Sequence, residues 1–187
     1  AAAWNSRGDG APSGNEYDLQ SVFLHELGHG LGFLSNDAYD PFFGLGSLDQ
    51  PTPFDAYLQT SDGRRLADLP TPSKELGIAL TTSLVWNGAQ GIKANSGVKP
   101  KMYTPSRYEA GSSTSHLDEA TFSKAGLDSV MTPSLDPGEI FKEPGPLLLA
   151  MMEDMRTKPP AGVATDLPFS PRNAQAFTSN ASALVAF

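Results

Sequence analysis

The chain contains no cysteine in its 187 residues, which excludes disulfides, thiolate nucleophiles and cysteine-ligated metals. Any metal ligands must be His, Asp or Glu. Histidine is scarce too, with three copies. Basic residues are in deficit: 13 Lys and Arg against 21 Asp and Glu leave a formal charge of -8, so neither a nucleic-acid backbone nor an anionic membrane surface is favoured as a partner. No apolar run approaches the ~20 residues that cross a bilayer. The opening AAAWNSRGDG lacks the apolar stretch of a signal peptide, so the expectation is an intracellular chain or one whose export signal has been removed. What remains is an apolar share of 39%, sufficient for the core of one domain of one or two lobes. The 16 Pro and 18 Gly predict a loop-rich fold, and no internal repeat is visible.

Residues 18–31 read as a helix: Asp18 can cap it, LQSVFLHELGHGL contains no proline, and Gly32 is a natural stop. From 35 to 53 periodicity is lost among Pro, Gly and Asp, which predicts a long ordered loop. Asp37, Asp40 and Asp49 in that loop are calcium-ligand types, although solvated carboxylates are the commoner outcome. Residues 54–60 and 64–69 flank Ser61-Asp62-Gly63, which has the chemistry of a hairpin turn. A short helix is expected over 73–83, strands at 84–86 and 101–103, and a final helix over 146–155. The tail at 157–187, with four prolines, reads as an extended wrap or linker.

His25-Glu26-Leu27-Gly28-His29 matches H-E-x-x-H. On a helix, residues four apart share a face about 6 Å along the axis, so both imidazoles can reach one ion. Glu26 is rotated by about 100° from His25, outside the coordination shell but near a metal-bound water that it can deprotonate. Catalytic zinc usually takes three protein ligands and a water. His116, in Ser115-His116-Leu117-Asp118-Glu119, is the one histidine left for the third place. A carboxylate such as Asp37, Asp55 or Glu119 is the alternative.

The run His25 to Gly32 resembles the metzincin clan of zinc peptidases, whose motif continues H-E-x-x-H-x-x-G-x-x-H to a methionine-containing turn. It departs at Ser35, where most metzincins have their third histidine. Leishmanolysin-like peptidases carry a long insertion at that point, and H-E-L-G-H-G-L-G-F, then S-H-L-D-E, then V-M-T-P, is similar to that arrangement. The resemblance implies an α+β, loop-rich catalytic domain over 1–156. Within it the active-site helix is 18–31, the insertion 34–115, the third-ligand loop and Met-turn 111–133, and the C-terminal helix 146–155. It further implies His25, His29 and His116 as ligands of one Zn²⁺, Glu26 as general base, Met131 as the Met-turn residue, and a secreted endopeptidase acting on protein or peptide substrates. Residues 134–145 would line the pocket for the side chain after the cleaved bond. No tyrosine follows Met131 to assist the metal, as one does in some metzincins. Only 17 residues precede Asp18, so the sheet lobe that metzincins place before this helix is expected to be truncated or incomplete.

Three weaker signals stand apart. Arg7-Gly8-Asp9 spells an integrin-recognition tripeptide but is ordinary turn material, Asn180-Ala181-Ser182 is formally a glycosylation acceptor, and Trp4 and Trp86 read as rim or core aromatics. A non-catalytic, zinc-stabilised binding or adhesion module is the rival reading from another class.

Overall fold

The computed structural model describes residues 3–123 and 126–156; the expected tail at 157–187, with the acceptor at Asn180, lies outside the described residues. Strand β1 (Ala3–Asn5) pairs in parallel with β2 (Glu16–Asp18). In the connection, the Arg7 guanidinium bonds both Asp9 at 2.9 Å and Glu16 at 3.1 Å, so Arg7-Gly8-Asp9 is a turn held by its own ion pairs. Helix α1 (Leu19–Gly30) begins where Asp18 accepts a hydrogen bond from the Ser21 amide at 2.9 Å, as the capping residue predicts.

The segment expected to be loop at 35–53 contains a small antiparallel pair, β3 (Ala38–Asp40) with β4 (Leu45–Ser47). Strands of three residues are too short to show a period of two. The hairpin expected over 54–69 forms only in part. Its turn is made, with Gly63 at φ 93° and the Thr60 amide donating to the Arg64 carbonyl at 2.9 Å. The second arm contributes one bridge, Gln59 to Arg65, and then tightens into a 3₁₀ turn at Leu66–Asp68. Three residues per turn place Leu66 and Leu69 on one side, and both are buried. The first arm, β5 (Leu58–Thr60), pairs instead with β6 (Leu84–Trp86).

Between them, α2 (Lys74–Thr82) starts at Ser73, whose hydroxyl accepts from the Leu76 amide at 3.0 Å. After β6 comes α3 (Ala89–Ala94), for which the sequence gives no capping signal. Lys101 and Met102 form single bridges to Val85 and Leu117, much as the strand expected at 101–103. Next are α4 (Glu119–Phe122), capped by Asp118, a 3₁₀ run at Gly126–Met131, and α5 (Pro146–Arg156). Three separate two-stranded sheets and five helices make the described chain α+β. Of the three sheets, only the β1–β2 pair precedes α1; the other two lie in the region 34–115. No helix among the described residues is long and apolar enough to cross a membrane.

The core is built around Phe33, Phe54, Trp86 and Tyr57, with ring centroids 4.7–5.2 Å apart in successive pairs. Leu58, Leu76, Leu80, Leu84 and Met102 complete it, each contributing roughly 1.5–3 kcal/mol by burial. Helix α1 departs from the usual amphipathic order. Its inward face carries Ser21, His25, Gly28 and His29, while Leu19, Phe23, Leu27 and Leu31 are exposed. Burying imidazoles while exposing leucines contradicts folding physics alone, and such local contradictions mark functional positions.

Candidate metal centre

The i, i+4 spacing on α1 sets the Nε2 atoms of His25 and His29 3.0 Å apart. The Nε2 of His116, arriving 87 residues later, lies 3.2 Å from each of them. The loop that delivers His116 is held at two points by one residue, Tyr103. The Tyr103 amide donates to the His116 carbonyl at 2.8 Å, and the Thr114 amide donates to the Tyr103 carbonyl at 2.7 Å. Thr114 is held at φ 66°, a conformation that costs a β-branched residue about 1–3 kcal/mol and persists only where its surroundings enforce it. One residue on, the Leu117 amide donates to the Met131 carbonyl at 2.8 Å, tying the third-ligand loop to the turn expected beneath the helix.

Each histidine spends its other ring nitrogen on a backbone carbonyl. Nδ1 of His25 donates to Val130, that of His29 to Phe33 and that of His116 to Ser112, each at 2.7 Å. A carbonyl cannot donate, so every Nδ1 carries the proton and every Nε2 presents a lone pair. Burial keeps the rings neutral. Desolvation, with His29 adjoining, pulls His25 down to about 3; desolvation lowers His29; desolvation with both neighbouring rings holds His116 well below the ordinary range. Three lone pairs therefore face one another with no proton between them, an arrangement that a metal cation would satisfy. With zinc–nitrogen bonds of about 2.0–2.1 Å, tetrahedral ligand atoms stand about 3.3 Å apart. The observed separations fit, and these three buried residues are close enough to hold a metal ion.

The chain turns back after α1 through Gly32, at φ 109°. Its amide donates to His29 at 3.0 Å and the Phe33 amide to Gly28 at 3.1 Å, a Schellman closure that returns the Phe33 carbonyl to His29. On the opposite side of the motif, Met131 packs against Gly28: a β-carbon there would lie 2.6 Å from its sulfur. Met131 is wholly buried, with Leu148 of α5 also touching this spot. Both Glu26 carboxylate oxygens are buried and lack a hydrogen-bond partner, and burial raises its pKa.

The alternative carboxylate ligands go elsewhere. Glu119 accepts from the Ser134 amide, while Asp37 and Asp55 both meet the Ser35 hydroxyl at 2.6 Å. Nor do the three aspartates weighed for calcium converge. Asp40 caps the Phe42 and Phe43 amides, Asp49 meets Thr71, and Asp37 stays with Ser35, Thr114 and Tyr108. Of residues 134–145, Ser134, Leu135 and Phe141 join His25 in lining a cavity of about 10 Å³, room for a single water. A larger cavity, about 270 Å³, opens between Ser35 and Ser115 on one side and Tyr39 and Tyr108 on the other. The carbonyls of Phe33, Ser112 and Val130 were not foreseeable, since main-chain acceptors leave no mark in a sequence. No protein-family model, curated protein or solved structure matches the chain.

Proposed function

We propose that this chain is a zinc-dependent endopeptidase of metzincin-like, leishmanolysin-like type, with His25, His29 and His116 as ligands and Glu26 as general base. The observation that carries the reading is the pairing of three converging imidazole lone pairs with a buried, unpartnered glutamate one residue from the first of them. Three neutral imidazoles at tetrahedral spacing favour zinc among common divalent ions. Zinc bound there supplies Lewis-acid polarisation of the scissile carbonyl and lowers the pKa of a water to about 7.

The chain's own residues do the rest. Glu26 accepts a proton from the attacking water and returns it to the leaving amine. Burial raises its affinity for that proton, which strengthens it as a base. The Val130, Phe33 and Ser112 carbonyls fix ring orientation and tautomer, a task worth 10–100-fold in metal affinity in comparable sites. Met131 fills the space under Gly28 and keeps the helix and the third-ligand loop in register.

A chelator-sensitive peptide-cleavage assay, run beside metal analysis, tests the proposal. Wild type is expected to bind one zinc and to cleave. Glu26→Gln should keep the zinc and lose about 10²–10⁴-fold in kcat. Stoichiometric zinc with no cleavage of any peptide by wild type would instead support a zinc-stabilised binding module.

A further inference from the structure

The three carbonyls that fix the histidine rings are not supported alike. Val130 belongs to the 3₁₀ run and Phe33 to the closure after α1, whereas Ser112 lies in Glu109-Ala110-Gly111-Ser112-Ser113, with Gly111 at φ 87°. Small side chains give such a turn little packing of its own. A carbonyl placed there keeps its direction when something outside the turn holds it.

The turn closes on Glu109. Its carbonyl accepts from the Ser112 amide at 3.0 Å and the Ser113 amide at 2.8 Å, and its own amide donates to the Ser113 hydroxyl at 2.9 Å. The Glu109 carboxylate leads out of this circuit by accepting from the Tyr103 hydroxyl at 3.0 Å. Tyr103 thus meets the loop on both sides of Ser112, through its side chain at Glu109 and through its main chain at Thr114 and His116. Its own position is firmly founded. Met102 beside it is wholly buried, bridges Leu117, and donates its amide to the Leu84 carbonyl of β6 at 2.9 Å. The Tyr108 hydroxyl bonds Asp37, which fixes where the segment begins but not how the turn closes.

We propose that Tyr103 is a positioning residue for His116, acting through Glu109 and the Ser112 carbonyl to keep the imidazole Nε2 turned toward those of His25 and His29. The hydroxyl acts at a remove: it bonds Glu109, Glu109 closes the turn, and the turn presents the acceptor for Nδ1. Its effect on zinc rests on the metallopeptidase reading. Its effect on the ring does not.

Two measurements on the full chain test this. In zinc-free protein the histidine Nδ1–H signals are followed by NMR, and Tyr103→Phe, which removes only the hydroxyl, should broaden that of His116 while those of His25 and His29 stay sharp. In loaded protein, zinc affinity is read by competition with a chromophoric chelator, and ligand geometry by the visible bands of the cobalt-substituted form. Direct outer partners of ligand histidines are worth 10–100-fold in affinity, so Tyr103→Phe, further out, should weaken zinc about tenfold. The cobalt bands should change while the Tm of zinc-free protein does not. Glu109→Ala should do the same, and the double variant should be no weaker than either single one. Glu109→Gln, which keeps an acceptor oxygen for the hydroxyl, should behave as wild type. A sharp His116 signal with wild-type zinc affinity in Tyr103→Phe, additive losses, or a loss that tracks a fall in Tm would overturn the role. A wild type that takes up no zinc, while Tyr103→Phe still broadens His116 alone, would uphold it and sink the metallopeptidase reading instead.

Discussion

The six ring nitrogens of His25, His29 and His116 divide between two tasks, three holding protons against carbonyls and three converging as lone pairs. That division was half legible. H-E-x-x-H declares its shared face because a helix repeats every 3.6 residues, and His116 followed from there being no other histidine. The carbonyls that set the tautomers depend on the path of the chain and could not be read. The division also sets the response to acid once metal is chelated. All three histidines have folded pKa values below the unfolded 6.5, so the unfolded chain binds more protons just below that pH. Their contribution to stability is complete above about 6.5 and is lost as pH falls toward 3. Thermal melts of chelated protein should show Tm dropping between pH 7 and 5, and a Tm that stays level across that window would refute this. Asp55 works in the opposite sense. Burial, opposed by the Ser35 and Thr52 hydrogen bonds and aided by the Asp37 charge, raises it from 3.8 to about 6. Between those values the folded state keeps a proton that the unfolded state has released, so this contribution declines as pH rises across that window and is level above it. Asp55→Asn removes the decline. Relative to wild type it should be more stable at pH 7 than at pH 4 by on the order of 2 kcal/mol, as the difference between two chemical-denaturation series.

Elements were legible where the chain carries its own caps and illegible where a distant residue supplies them. Asp18 and Ser73 announce α1 and α2 because their side chains meet amides three residues on. Helix α3 gave no such sign, since its N-cap is Gly88 and its capping carboxylate belongs to Asp154, 64 residues beyond the Gln90 amide it accepts from. The arm at 64–69 misled because turn chemistry at Ser61-Asp62-Gly63 is local, whereas the choice of β6 as partner for β5 is made by burial of Leu58, Leu84 and Trp86. The contact between α1 and the methionine turn offers the sharpest test at this scale. A β-carbon at Gly28 would sit 2.6 Å from the Met131 sulfur and 3.1 Å from its methyl group, so the end of the buried Met131 side chain must shift to accept it. Gly28→Ala, although favourable for an isolated helix, should therefore destabilise the protein by about 1–3 kcal/mol and weaken zinc binding. Adding Met131→Ala should recover part of the loss. A double mutant whose effects simply add, measured by denaturation and zinc competition, would show that helix and turn are not in register through this contact.

At the scale of the whole molecule, the three-histidine cluster lies at the convergence of segments that share no single sheet: α1, the loop at 112–116 and the 3₁₀ run ending at Met131. What joins them to the β5–β6 pair is α5, which packs Leu148 toward Gly28 and sends Asp154 to the other end of the core. The Asp154 carboxylate accepts from Trp86 Nε1 at 2.9 Å, the Gln90 amide at 2.9 Å and the Gly91 amide at 2.8 Å, while its carbonyl accepts from the Tyr57 hydroxyl. Gly88 leaves the room for this, since a β-carbon there would fall 2.1 Å from the carboxylate. Replacing Asp154 with Ala strips two buried donors, Trp86 Nε1 and the Gly91 amide, of their acceptor at about 1–3 kcal/mol each, and the part-buried Gln90 amide of its own at less. The expected loss is roughly 3 kcal/mol or more, a fall in Tm on the order of 10 °C. Asp154→Asn, which keeps one acceptor oxygen, should lie between wild type and Ala. Because none of these groups touches the histidines, whatever fraction of Asp154→Ala remains folded should bind zinc with near wild-type affinity. A variant that melts normally but has lost its metal would mean that α5 acts on the site itself, through Leu148 and Met131, and not through the stability of the fold.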